Sequence, residues 1–132
     1  YVVSTDSSYN LYVYTNLANS DPRSGELVKS ISGKVPEPSY YLKAFSTPVK
    51  LSKGQNFSIV VEATTPGWDY PVPLEMPIEN YSSKARSEPG QGFISMDGKS
   101  WLDVTEVFDN ASVCLKAFAS TSSSVLPRKR LD

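Results

Sequence analysis

The chain is 132 residues long, 39% hydrophobic, and carries 13 Lys and Arg against 14 Asp and Glu for a net charge of −1. That length suits one domain with a single core, and the balanced charge lacks the broad positive field that nucleic acid or an anionic membrane would need. Histidine is absent and Cys114 is the only cysteine, which excludes an internal disulfide, a Ser-His-Asp or Cys-His catalytic pair and the usual zinc ligand sets.

Taken from the N-terminus, Tyr1-Val2-Val3 reads as the end of a strand already under way, so residues upstream are expected to complete the sheet. No apolar run approaches the roughly 18 to 20 residues of a membrane span. Alternation with period two then recurs, and no 3.6-residue apolar stripe lasts beyond a turn or two, so the chain is expected to be all-β. In residues 9–15, Leu11 and Val13 share one face and Tyr12 and Tyr14 the other, as in a strand covered on both sides. Strands are also expected at 26–31 and 40–45. At 57–63, Phe57, Ile59, Val61 and Ala63 form one face and Ser58, Val60 and Glu62 the other, the pattern of a sandwich-core strand.

Between residues 65 and 77 the alternation fails, because Pro66, Pro71, Pro73 and Pro77 remove ladder donors and favour a long ordered loop or an edge strand. Strands resume at 91–96, 101–104 and 113–118. The tetrapeptide Leu-Lys-Ala-Phe occurs at 42–45 and again at 115–118, and both copies suit equivalent sheet positions. Cys114 lies in the last of these runs, and with no histidine to lower its pKa it reads as a small packed side chain. Residues 120–132 are serine-rich and then basic (Arg128, Lys129, Arg130), so the folded domain is placed at 1–119 and a tail or linker at 120–132. Strand spacing of this kind favours an antiparallel β-sandwich or jelly roll.

The segment GQGFISMDGKSW, residues 90–101, joins a strand to Asp97-Gly98, a pair suited to a two-residue hairpin turn, with Trp101 starting the return strand and packing over the turn. It also resembles the Asp box of secreted sialidases, one residue short because Gly98 follows Asp97 directly. That motif fixes a turn and performs no chemistry, so Asp97, Gly98 and Trp101, like Cys114, are assigned structural roles.

Several segments together resemble the lectin-like domain that follows the papain-type cysteine protease domain in secreted or surface-anchored bacterial and archaeal proteins. They are SYNLYVYTN (8–16), YYLKAFSTPVKLSKGQNFSIVVEATTPG (40–67), YPVPLE (70–75), GQGFISMDGKSW (90–101) and VCLKAF (113–118). The specific part is TPG, then YPVPLE, then the GQ-F-IS-DG-W run. The resemblance implies a jelly-roll β-sandwich lacking one or two N-terminal strands in this stretch, an extracellular or cell-surface setting, and an accessory role beside a protease domain in cis. It supplies no catalytic residue. It allows a calcium ion, but no ligand motif carries one across, and no cofactor is required.

Carbohydrate recognition needs an apolar ring to stack on the sugar and polar groups to hold its hydroxyls. Trp68, Asp69 and Tyr70 supply both in the proline-rich loop, and Tyr81 lies a little further on. In the alternative reading, Trp68 and Tyr70 cap the open end of the sandwich. Calcium would need about six or seven oxygen ligands, and Asp69, Glu75, Asp97, Asp103 and Asp109 could converge only through the fold. No facing carboxylate pair suggests a glycoside hydrolase. The triplets at Asn56, Asn80 and Asn110 match the glycosylation pattern without identifying a host. The leading expectation is a non-catalytic lectin-like module binding a glycan or cell-wall polymer. The alternative is a spacer or folding-assistance domain that packs on the protease and binds no sugar, with a sialidase or glycoside hydrolase fragment ranking below both.

Overall fold

A computed structural model describes residues 1–121. Its elements are β1 (Ser7–Thr15), β2 (Glu26–Val35), β3 (Phe57–Thr64), β4 (Leu74–Glu75), β5 (Phe93–Ile94), β6 (Leu102–Asp103), a 3-10 turn at Val104–Glu106, and β7 (Ser112–Val113). All pairings are antiparallel: a three-stranded sheet in the order β2-β1-β3, and two short ladders, β4-β7 and β5-β6. The chain is an all-β protein with antiparallel sheets consistent with a sandwich, as its alternation predicts.

Strand β1 pairs along its whole length with β3, from Ser8↔Thr64 to Thr15↔Phe57, and with β2 from Ser7↔Val35 to Thr15↔Glu26 through one irregularity at Val13/Tyr14. Register partners lie on one face of a sheet. Tyr9, Leu11 and Val13 therefore share a face with Ile31 on β2 and with Ala63, Val61 and Ile59 on β3. Asn10, Tyr12 and Tyr14 share the opposite face with Ser32 and Ser30, and with Glu62, Val60 and Ser58. Val13 and Tyr14 are both buried, so β1 is covered on both sides, as expected from its sequence.

Strand β3 departs from expectation. Its most apolar face is not the buried one: Phe57 and Val61 are 41% and 38% exposed, while Val60, on the polar face, is 7% exposed. Burial follows the loops that lie over each face. Residues 17–25 cover the Val60 side, where Ser58 Oγ donates to the Pro22 carbonyl and Asn56 bonds both the N–H and the C=O of Leu17. The opposite face receives part of the segment after β2, with Lys43 Nζ 5.6 Å from the Tyr9 ring centre and Lys29 Nζ 5.7 Å from that of Phe45.

Other expected strands are shorter or absent. Residues 40–45 form no ladder among the described residues, and the nearby pairing is an isolated bridge, Val2↔Ser39. At 113–118 pairing stops after Val113, and 91–96 shrinks to Phe93–Ile94. The two Leu-Lys-Ala-Phe copies are therefore not equivalent sheet positions. Alternation favours strand only where another backbone accepts the ladder, and Leu42 and Phe118, 78% and 79% exposed, have no layer to enter. The tail beyond residue 121 lies outside the described residues.

The second buried cluster centres on Val104 and Ala111, both fully buried. Asp103 holds this region together. Its carboxylate accepts from Thr105 N at 2.9 Å, Thr105 Oγ1 at 2.7 Å and Gly90 N, capping the 3-10 turn and tying the start of the β5-β6 hairpin to it. Asp103→Ala leaves these partly buried donors without their acceptor and is expected to cost about 1–2 kcal/mol, read as a lower urea midpoint with an unchanged slope.

Candidate functional site

The loop after β3 begins with a turn that its sequence dictates. Trp68 N donates to Thr65 O at 3.1 Å across Pro66 and Gly67, and Gly67 has φ +78°. Proline followed by glycine at positive φ is the signature of a type II turn. Thr65 anchors it: its side chain is buried and shares a 2.8 Å hydrogen bond with Ser7 Oγ at the start of β1. Beyond the turn, Pro71 and Pro73 keep the backbone extended into β4, which pairs Leu74↔Val113 and Glu75↔Ser112. Cys114 N donates to Pro73 O at 3.2 Å, continuing that attachment.

The loop is thus pinned at both ends while its rings face solvent. Trp68 is 52% exposed, Tyr70 73%, and Asp69 is also exposed. The side chains of Trp68, Asp69 and Tyr70 form no hydrogen bond among the described residues. Tyr81 follows β4 in the chain, in a turn where Tyr81 N donates to Ile78 O at 3.1 Å and Asn80 adopts φ +63°. Ser82 Oγ secures that turn, accepting from Ile78 N and donating to Met76 O. Tyr81 is 88% exposed, and among the described residues no ring contact joins it to Trp68 or Tyr70.

Among the described residues, two of the open surface depressions lie away from these four residues. The larger, about 670 Å³, lies among Met76, Pro77, Arg86 and Phe108; the smaller, about 380 Å³, lies between the β1-β2 end and residues 47–50.

The residues assigned structural roles behave as follows. The expected two-residue hairpin at Asp97-Gly98 is not formed. Strand pairing ends at Ile94↔Leu102, so residues 95–101 make a wider connection, and only Gly98 of the pair has positive φ, +67°. The cause is the Asp97 side chain. Its Oδ1 accepts from Lys99 N and Ser100 N, each at 2.8 Å, and from Ser95 Oγ at 3.1 Å, while Ser95 Oγ accepts from Gly98 N at 2.8 Å. A carboxylate here takes the place that ladder bonds would have in a tighter turn. Trp101 precedes the return strand rather than starting it; it is half-buried, and its indole N–H is buried without an acceptor among the described residues. Cys114 is half-buried, and burial, then the Glu75 carboxylate, pushes its thiol pKa up, away from nucleophilic use.

Among the described residues no three of Asp, Glu and Cys come together. Glu75 pairs with Lys116 at 3.2 Å, and Asp97 Oδ1 and both carboxylate oxygens of Asp103 already face N–H or O–H donors. Sequence reasoning missed the role of Asp103, although Asp103-Val104-Thr105-Glu106 has the spacing of a capping box. It also missed Arg23, which lies over Tyr12 and Tyr14 on the main sheet at 5.7 and 6.0 Å from the ring centres; no motif flags an arginine in a turn.

The same donors set an acid response. Main-chain N–H groups of Ser100 and Lys99 hold the Asp97 pKa at about 2, below the ordinary 3.8, and the Gly90 and Thr105 donors lower that of Asp103. Below 3.8 the unfolded chain binds protons that the folded chain still refuses, so this stabilisation is complete above that pH and is lost as pH falls toward 2. Calorimetry is expected to show Tm falling across that interval. Asp97→Asn, which keeps an acceptor but cannot titrate, should make the fall shallower.

No curated protein and no solved structure matches this chain. The family model described as lectin-like domain matches residues 1–119. With most of its length matched, and with the antiparallel β architecture and open aromatic loop described above, the chain belongs to the lectin-like domain family.

Proposed function

We propose that this lectin-like domain is a non-catalytic accessory module of a secreted or cell-surface papain-type cysteine protease, and that it holds or orients its parent on a glycan or cell-wall polymer. The observation that carries the reading is the Trp68–Asp69–Tyr70 loop, two exposed rings and a carboxylate on a backbone stiffened by prolines and anchored through buried Thr65. A ring that is already exposed and pinned loses little entropy when a sugar stacks on it, and Asp69 can accept from the sugar's hydroxyls. The protease partner and extracellular setting rest on the segment resemblance. Tyr81 is proposed as a peripheral contact.

A second reading, a spacer or folding-assistance domain that packs on the protease without binding sugar, is favoured by the exposed apolar side chains of Phe57, Val61, Leu42 and Phe118. Deleting the module from the parent protein separates the two. Impaired protease maturation with intact wall attachment supports the spacer; lost attachment with normal maturation supports the lectin.

Glycan-array and cell-wall pull-down assays are expected to show binding that Trp68→Ala and Tyr70→Ala each weaken at least about tenfold, equivalent to about 1.4 kcal/mol, without lowering Tm. Uniform absence of binding by the folded wild-type module contradicts the proposal.

A further inference from the structure

The polar face of the β2-β1-β3 sheet carries a second group of side chains arranged for a ligand. Arg23 is fixed from its backbone outward. Its N–H donates to Asp21 Oδ1 at 2.7 Å, and Asp21 N in turn donates to Asn19 Oδ1 at 2.8 Å. The neighbouring Pro22 is buried, its carbonyl taken by Ser58. From this turn the guanidinium extends over Tyr12 and Tyr14, with Nε donating to Tyr14 Oη at 3.2 Å and Nη1 to Gly98 O at 3.4 Å. Both acceptors are neutral. The one ion pair among the described residues is Lys116–Glu75, so Arg23 is an oriented, exposed cation with no carboxylate opposite it and N–H groups to spare. A planar donor fork in that state matches a carboxylate.

Beside it lies a row of polar side chains. Glu62 Oε2 accepts from Asn10 Nδ2 at 3.1 Å and from Tyr12 Oη at 3.3 Å, leaving Glu62 Oε1 and Asn10 Oδ1 as acceptors. Across β1, Ser32 stands opposite Asn10 and Ser30 opposite Tyr12. The row spans three strands at a spacing of about 4.8 Å each, and the Tyr12 ring sits between its negative end and the Arg23 cation.

The geometry points to a second saccharide subsite on this face, which takes an acidic sugar of the uronic or sialic acid class: carboxylate on Arg23, hydroxyls on Glu62 and Asn10. The Glu62 charge repels the carboxylate and so orients the sugar with its acid toward Arg23. This subsite rests on the carbohydrate-binding reading above but uses none of its residues, and the Asp97 turn acquires a role in it, since its Gly98 carbonyl helps to hold the guanidinium.

The test titrates the full chain, by calorimetry and amide NMR, with uronate and sialate oligosaccharides, the neutral methyl ester of each, and acetate. At least one acidic saccharide is expected to bind tenfold or more tighter than its ester, with shifts in β1 and β3. Arg23→Gln should abolish that preference, and Trp68→Ala should leave it unchanged while weakening neutral glycans. If Arg23→Gln loosens its loop and lowers Tm, Asn10→Ala carries the test, because the hydrogen bond of that side chain among the described residues goes to Glu62; it should weaken the acidic saccharide several-fold at unchanged Tm. Equal binding of acid and ester throughout the panel overturns the subsite while leaving the Trp68 loop intact as a lectin site. Acetate binding as tightly as the saccharides also overturns it, reducing the feature to an anion contact.

Discussion

Strand β1 is the constraint on which the rest of the structure depends. Among the described strands it alone must satisfy main-chain hydrogen bonds on both sides over its whole length, and it does so with β2 and β3. Buried backbone groups have to be paired, and no other ladder in the described chain exceeds two residue pairs. Once β1 is fixed, Tyr14 and Val60 are committed to one face and Val13 to the other. Arg23 then lies over the Tyr12 and Tyr14 rings, and Thr65 comes to lie beside Ser7, where it anchors the aromatic loop.

Outside that sheet, order comes mainly from side chains standing in for backbone partners. Asp97 and Asp103 each gather N–H donors around one carboxylate; Asn56 pairs with both polar groups of Leu17; Ser82 bridges Met76 and Ile78. Each such bond is of modest net value in water, and each becomes costly to lose where the donor is buried. The result is a set of loops held in definite conformations with few apolar contacts.

The sequence made β1, β2 and β3 legible because their alternation coincides with real ladder partners. It misled at Leu42, Phe118 and the face of β3, where the same alternation has no layer above it: periodicity reports which residues could share a face, not whether anything covers that face. The Trp68 loop was readable because Pro66-Gly67 dictates its turn. The Asp97 turn was readable in its residues but not in its width, since one carboxylate binding two amides replaces the tight hairpin that Asp-Gly favours. Arg23 was invisible, because no local motif marks an arginine in a turn that folds back over the rings of the preceding strand. Asn80 and Asn110 sit at φ +63° and +58°, and Asn56 caps a loop, so turn chemistry accounts for all three asparagines that match the glycosylation pattern.

The central claim is that this lectin-like domain presents Trp68 to a glycan. Its two tryptophans make the claim measurable in one experiment, because the Trp68 ring is exposed whereas the Trp101 indole N–H is buried. In an NMR titration of the folded module with a cell-wall glycan extract, the account predicts that the Trp68 indole N–H resonance shifts in a saturable way while that of Trp101 stays in place. Saturable binding that leaves the Trp68 resonance unmoved, or no binding at all, would contradict it.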